Sequence, residues 1–214
     1  MENREIIEII TKILALLIGI VGHEIMHGYS AYRYGDNTAK IEGRLSINPI
    51  KHVDIMGTIV VPLLLFISNA PFLFGWAKPV PINMQTVVNN GGLNGAIMVS
   101  LAGIIYNISV AAIASVLLGF GDFNSEIGLF FGYLLAYLIV YNIILGIFNL
   151  WPIPPLDGSQ ALAYFFMKFG NYKVAEMFDK VGNYGMIILV LILATPLNQI
   201  FFAPALYLIN LLIK

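Results

Sequence analysis

Five consecutive residues, His23-Glu24-Ile25-Met26-His27, are the part of this chain best equipped for chemistry. Helix positions four apart lie one turn above each other on one face. His23 and His27 can therefore offer two imidazoles to a single ion. Glu24 lies about 100° further round a helix of 3.6 residues per turn, so it flanks the ion instead of ligating it. Two imidazoles with a carboxylate beside them suit a zinc-activated water and an adjacent general base. The residues before the motif, Ile13 to Val21, are almost unbroken apolar sequence. The motif thus stands where the surroundings should be lipid, and ionisable groups there are costly enough to mark function. The chemistry implied is hydrolysis of peptide bonds within a bilayer.

Zinc hydrolases use three protein ligands and keep one position open. The chain has no cysteine, which excludes disulfides and thiolate ligands and leaves His, Asp and Glu. One candidate is His52, the third and last histidine. The other is Asp157, in Asn149-Leu150-Trp151-Pro152-Ile153-Pro154-Pro155-Leu156-Asp157-Gly158. Prolines lock this stretch, and Gly158 leaves the backbone free to turn. A lone carboxylate among apolar neighbours is expensive unless it meets a cation. The residues favour Asp157, with His52 as the alternative ligand or as a buried structural group near Asp54.

The elements that must position these groups are membrane helices. The 214 residues are 59% hydrophobic and 11% charged. Soluble domains carry about 45–50% apolar and about 25% charged residues. The net charge of −1 carries no information about partners, and no basic patch points to nucleic acid. Met1 to Lys12, Ile13 to Val21 and the small residue Ala31 loosely imitate a signal peptide. However, Glu2, Glu5 and Glu8 contradict a positive leader, and cleavage would discard both histidines.

Long apolar stretches run over Ile6–Ala31, Leu93–Leu118, Ile127–Leu150 and Tyr184–Ile213. The last is broken at Pro196, either as a kink or as a turn between two helices. Ile55–Ser68, interrupted by Gly57 and Pro62, falls short of the ~20 residues that a span needs and reads as re-entrant or shallow. Gly128 with Gly132, and Ala111 with Ser115, have the spacing of close helix contacts. Ile41 to Asn48 alternates polar and apolar residues as a strand does. Pro79-Val80-Pro81-Ile82-Asn83 is extended, because proline disfavours helix in the residue before it. The expected fold is an all-α polytopic membrane protein of about five to six membrane helices. A small membrane-associated β-sheet or hairpin is expected near the active site. Residues 1–214 read as a single membrane-embedded core.

Lys and Arg set the orientation. Arg33, Lys40, Arg44 and Lys51 lie after the first stretch, and Lys168, Lys173 and Lys180 lie after Ile127–Leu150. The loop near 119–126 has only Asp122 and Glu126. The basic regions are placed in the cytoplasm, and the site toward that side of the cell membrane. Asn48, His52, Asn83 and Asn149 either line a polar path to it or are interface residues.

Four blocks together resemble the site-2 proteases, a family of intramembrane zinc metalloproteases. They are Gly22-His23-Glu24-Ile25-Met26-His27; Tyr34-Gly35-Asp36 through Gly43-Arg44-Leu45-Ser46-Ile47-Asn48-Pro49; Gly75-Trp76-Ala77-Lys78-Pro79-Val80-Pro81-Ile82-Asn83; and Phe148-Asn149-Leu150 to Asp157-Gly158. The chain is most similar to the compact prokaryotic branch without PDZ domains. The resemblance implies one Zn2+ held by His23, His27 and Asp157, with Glu24 as the base. It implies that Asn149 positions substrate or stabilises the oxyanion. The implied partners are transmembrane segments of single-pass membrane proteins and the lipid bilayer. One departure is Ala102-Gly103-Ile104-Ile105-Tyr106-Asn107, where the family often has a proline after the glycine. Two other readings compete: a zinc-binding membrane transporter, and a non-catalytic relative that binds transmembrane segments.

Overall fold

The structure is a computed structural model that describes residues 2–67 and 75–213. The end of the expected Ile55–Ser68 stretch therefore lies outside the described residues. Helix α1 spans Glu2–Arg33. It stops where Gly35 takes a φ of +87°, which a residue without a Cβ adopts at no steric cost. Two hydrogen bonds close the end, Gly35 N–H to the Tyr32 carbonyl and Asp36 N–H to that of Ala31. Helix α2, Thr38–Ile41, follows directly. Helix α4, Met84–Phe120, breaks helical geometry at Gly92, so its apolar part begins where the sequence predicts. It passes through Ile104 in regular helical geometry, so the missing proline changes nothing in this backbone. Helix α5 covers Glu126–Leu150, α6 Asp157–Lys168, α7 Lys173–Ala194 and α8 Leu197–Leu212. Pro196 thus separates two helices.

Helices α1, α4 and α5 pack against one another and form the frame. Among the described residues they are also the three helices long and apolar enough to cross a membrane. A fourth span results if the bent pair Lys173–Gly182 and Tyr184–Ala194 crosses as one. The expected five to six are reached only by adding the shorter apolar helices Ile55–Ile67 and Leu197–Leu212. Glycines let the frame close tightly, as lipid-embedded helices require. A Cβ at Gly22 would sit 2.1 Å from the Tyr106 ring, and one at Gly19 would lie 2.9 Å from Leu145. Ala111 joins Ile139, Ile143 and Ala205 in a core shared by α4, α5 and α8, and Ser115 donates to the Leu212 carbonyl. The pair Gly128 and Gly132 instead accommodates Phe123 of the preceding loop.

No β-strand forms among the described residues, so the expected β-sheet or hairpin is corrected. Alternation predicts a strand only where a partner supplies a hydrogen-bond ladder. Here Thr38–Ile41 coils into α2, Gly43 turns with a φ of +63°, and Pro49 opens a 3-10 helix, Pro49–His52. Pro79 and Pro81 have no N–H to give to a ladder. Side chains hold the extended segment instead. Arg44 donates to the Lys78 carbonyl at 2.8 Å, and Asp36 accepts from Asn83 N–H at 2.7 Å. Residues Ile55–Val60 form a π-helix that continues into α3, Val61–Ile67. Ile55, Leu64 and Phe66 there are well exposed, as fits a shallow membrane segment.

Candidate active site

His23 and His27 lie one above the other on α1, and both are buried. Asp157, the first residue of α6, reaches them across the fold. Its Oδ2 lies 3.1 Å from Nε2 of each histidine, and the two Nε2 atoms are 3.1 Å apart. Tetrahedral ligands about 2.0–2.1 Å from zinc stand about 3.3 Å from one another. The triangle therefore has the right size for a single zinc ion. Among the described residues it is the one cluster of three or more metal-ligating groups.

The outer ring nitrogens decide which way the lone pairs face. His27 Nδ1 lies 2.7 Å from the Val99 carbonyl, and His23 Nδ1 lies 2.6 Å from Asn107 Oδ1. Both partners are acceptors, so both Nδ1 atoms carry hydrogen and both Nε2 lone pairs point into the triangle. An aspartyl carboxyl of ordinary acidity is ionised near neutral pH. Asp157 is therefore a carboxylate near neutral pH. Two imidazole lone pairs and one anion facing a common centre form the donor set of a cation site.

Asp157 is fixed by what surrounds it. Leu156 is buried with Leu189 and Phe201. Gly158 presses on the end of α5: a Cβ there would lie 2.1 Å from the Leu150 carbonyl oxygen. The glycine is needed for this approach and not for a turn, since the positive-φ glycines are Gly35, Gly43, Gly92 and Gly170. Glu24 is half-buried, and its Oε2 accepts the Val80 N–H at 2.8 Å. Within Pro79-Val80-Pro81 this is the one backbone donor. Val80 itself packs on Gly28 of α1, where a Cβ would approach within 2.8 Å.

His52 lies outside the cluster. Its Nε2 donates to the Ser46 carbonyl at 2.8 Å, and its own carbonyl accepts from Lys78 N–H. It pins two loop segments together, and Asp54 caps the π-helix through Gly57 N–H. Asn149 donates to the Leu145 carbonyl one turn back, at 3.0 Å. Asn48 and Asn83 accept from the Ile50 and Thr86 N–H groups. All four polar residues considered for a water path thus have local partners.

Sequence reasoning assigned no role to Gly103, Asn107 or Asn142, and read Val80 to Asn83 as a strand edge able to pair with substrate, not as an anchor for Glu24. A Cβ at Gly103 would lie 2.5 Å from both His23 Cε1 and His27 Nε2. Val99, Gly103 and Asn107 share one face of α4, each four residues from the next, and together they seat both imidazoles. The available signal was an amide in mid-span: Asn107 and Asn142 are wholly buried in apolar helices, where every polar group must be satisfied.

The profile of Peptidase family M50 matches residues 124–193, a stretch that contains Asn149 and Asp157. YwhC of Bacillus subtilis, a zinc metalloprotease by name, is 34% identical over 203 residues, covering 91% of this chain and 84% of that protein. Rip2 of Mycolicibacterium smegmatis, likewise named as a zinc metalloprotease, is 29% identical over 195 residues, covering 90% of this chain and 70% of the relative. Rip2 of Mycobacterium tuberculosis is 28% identical over 200 residues, covering 91% and 71%. No solved structure matches significantly. A frame of helices apolar enough to cross a membrane, with three side chains able to hold a metal ion, fits a metalloprotease of the bilayer. The chain belongs to peptidase family M50, the site-2 protease family, and its activity is that of an intramembrane zinc metalloprotease. This membership disfavours the transporter reading.

Proposed function

We propose that this protein cleaves transmembrane segments of single-pass membrane proteins, using a centre made of His23, His27, Asp157 and Glu24. The observation that carries the reading is the 3.1 Å triangle of Nε2, Nε2 and Oδ2, two of whose atoms come from a helix long and apolar enough to cross a membrane. Zinc, when bound, supplies a Lewis acid that polarises a carbonyl and activates water. His23, His27 and Asp157 hold it. Glu24 takes the proton of the attacking water and returns it to the leaving amine. One oxygen of Glu24 is anchored by Val80 N–H, which sets the direction of the carboxylate.

A helical substrate hides each carbonyl in its own hydrogen bonds, so it must unwind locally before it is cut. The basic residues after α1 and α5 support a cytoplasmic-side site in the cell membrane, and residues 1–214 act as one membrane-embedded peptidase core. Asn149 uses one amide hydrogen on Leu145 and has a second to offer an oxyanion. Asn149→Ala should lower kcat by about 10-fold or more with KM little changed, since oxyanion donors act in the transition state. A fall confined to KM would remove that role.

The direct test is purified protein in proteoliposomes with a single-pass substrate. Cleavage inside the substrate's apolar segment should stop on chelation and return with one equivalent of zinc. Cleavage that persists in zinc-free protein, or cuts confined to soluble flanks, would refute the reading.

A further inference from the structure

We propose that Asn107 is a positioning residue of the metal centre: its side-chain amide sets the tautomer and tilt of His23, and so how tightly zinc is held. The proposal rests on the zinc reading above. His27 and His23 are oriented by different means. His27 leans on the main-chain carbonyl of Val99, which most substitutions at that position leave in place. His23 leans on a side chain, Asn107 Oδ1 at 2.6 Å, so its orientation depends on residue type.

The orientation of the Asn107 amide is itself determined. Its Nδ2 donates to the Gly19 carbonyl at 3.1 Å and to Asn142 Oδ1 at 2.8 Å. A flipped amide would set oxygen against those two acceptors and nitrogen against the His23 N–H. Asn142 is fixed in turn, because its Nδ2 donates to the Leu138 carbonyl at 2.9 Å. The relay thus runs from α5 through α4 to the imidazole on α1. Both amides are fully buried, so each unmade bond would leave a polar group stranded in an apolar core. Asn107 is also neutral. It holds the ring nitrogen as a carboxylate would, without adding a second negative charge beside Asp157. Outer partners of this kind typically govern metal affinity by about 10–100-fold.

The test measures the zinc dissociation constant of the intact, detergent-solubilised protein by chelator competition, with the visible spectrum of the cobalt-loaded protein as a report on ligand geometry. Asn107→Leu keeps the volume and removes the acceptor. It should weaken zinc by about 10–100-fold and alter the cobalt spectrum. Asn107→Asp keeps an oxygen facing His23 but gives up the donation to the Gly19 carbonyl and Asn142 Oδ1, so it should weaken zinc less than Asn107→Leu does. Asn142→Leu should have a smaller effect than Asn107→Leu, because the Gly19 carbonyl still orients Asn107. Native affinity in a folded Asn107→Leu protein would overturn the proposal, as would equal losses in the Leu and Asp variants, which would make Asn107 a packing residue. If the unmodified protein takes up no stoichiometric zinc, the proposed centre itself fails, and this proposal with it.

Discussion

Glu24→Gln should reduce cleavage by about 10²–10⁴-fold while leaving zinc bound. The substitution removes a base and little else. Glutamine keeps an oxygen able to accept the Val80 N–H, which Glu24 Oε2 now accepts at 2.8 Å. The anchor between α1 and the extended segment therefore survives, and so does the fold. The three side chains able to hold a metal ion, His23, His27 and Asp157, are not touched. Initial rates in proteoliposomes, with zinc per chain measured on the same sample, check both halves. A variant cleaving within 10-fold of the native rate would show that the proton moves through some other group. Lost zinc would instead assign Glu24 to the ligand set.

The second large effect is expected from one methyl group. Gly103→Ala should nearly abolish both zinc binding and activity. Alanine favours helix over glycine by about 1 kcal/mol, so α4 itself gains. Yet the new Cβ would stand 2.5 Å from His23 Cε1 and His27 Nε2 and 2.6 Å from His23 Cδ2. Both imidazoles would have to move by roughly 1 Å, and displacements of that size cost on the order of 10²-fold in a site built on exact placement. Gly119→Ala in the same helix is the control, because nothing lies within 4 Å of its Cβ position. Zinc content and melting temperature of both variants decide the matter. Full zinc occupancy in folded Gly103→Ala protein would mean that the rings are seated differently. The contrast also tests whether α4 serves the site or merely fills the frame.

These expectations differ in how they could be reached. Glu24 and the two histidines are legible because a helix period puts chemistry on one face within five residues. Asp157 is legible because a carboxylate amid prolines and apolar residues has few reasons to be there. Gly103 is not, since glycines are common in membrane helices and only the opposing rings reveal which one matters. Gly158 was legible as special but for a different reason: it permits contact with the Leu150 carbonyl, not a turn. The alternation over Ile41–Asn48 misled, because a period of two reports which faces a segment would show and not whether a partner strand exists. Side chains of Asp36 and Arg44 took the place of that partner.

By itself, the amino-acid order determined that the chain lives in lipid, that no thiolate can hold a metal there, and which carboxylate and imidazoles could meet an ion. Those properties depend on composition and on neighbours within one helical turn. Tertiary structure alone decided that residues 130 positions apart close to 3.1 Å, that the Val80 N–H anchors Glu24, and that Asn107 faces His23. Such facts arise where separate helices touch, and the sequence of one helix carries no record of the surface it will meet.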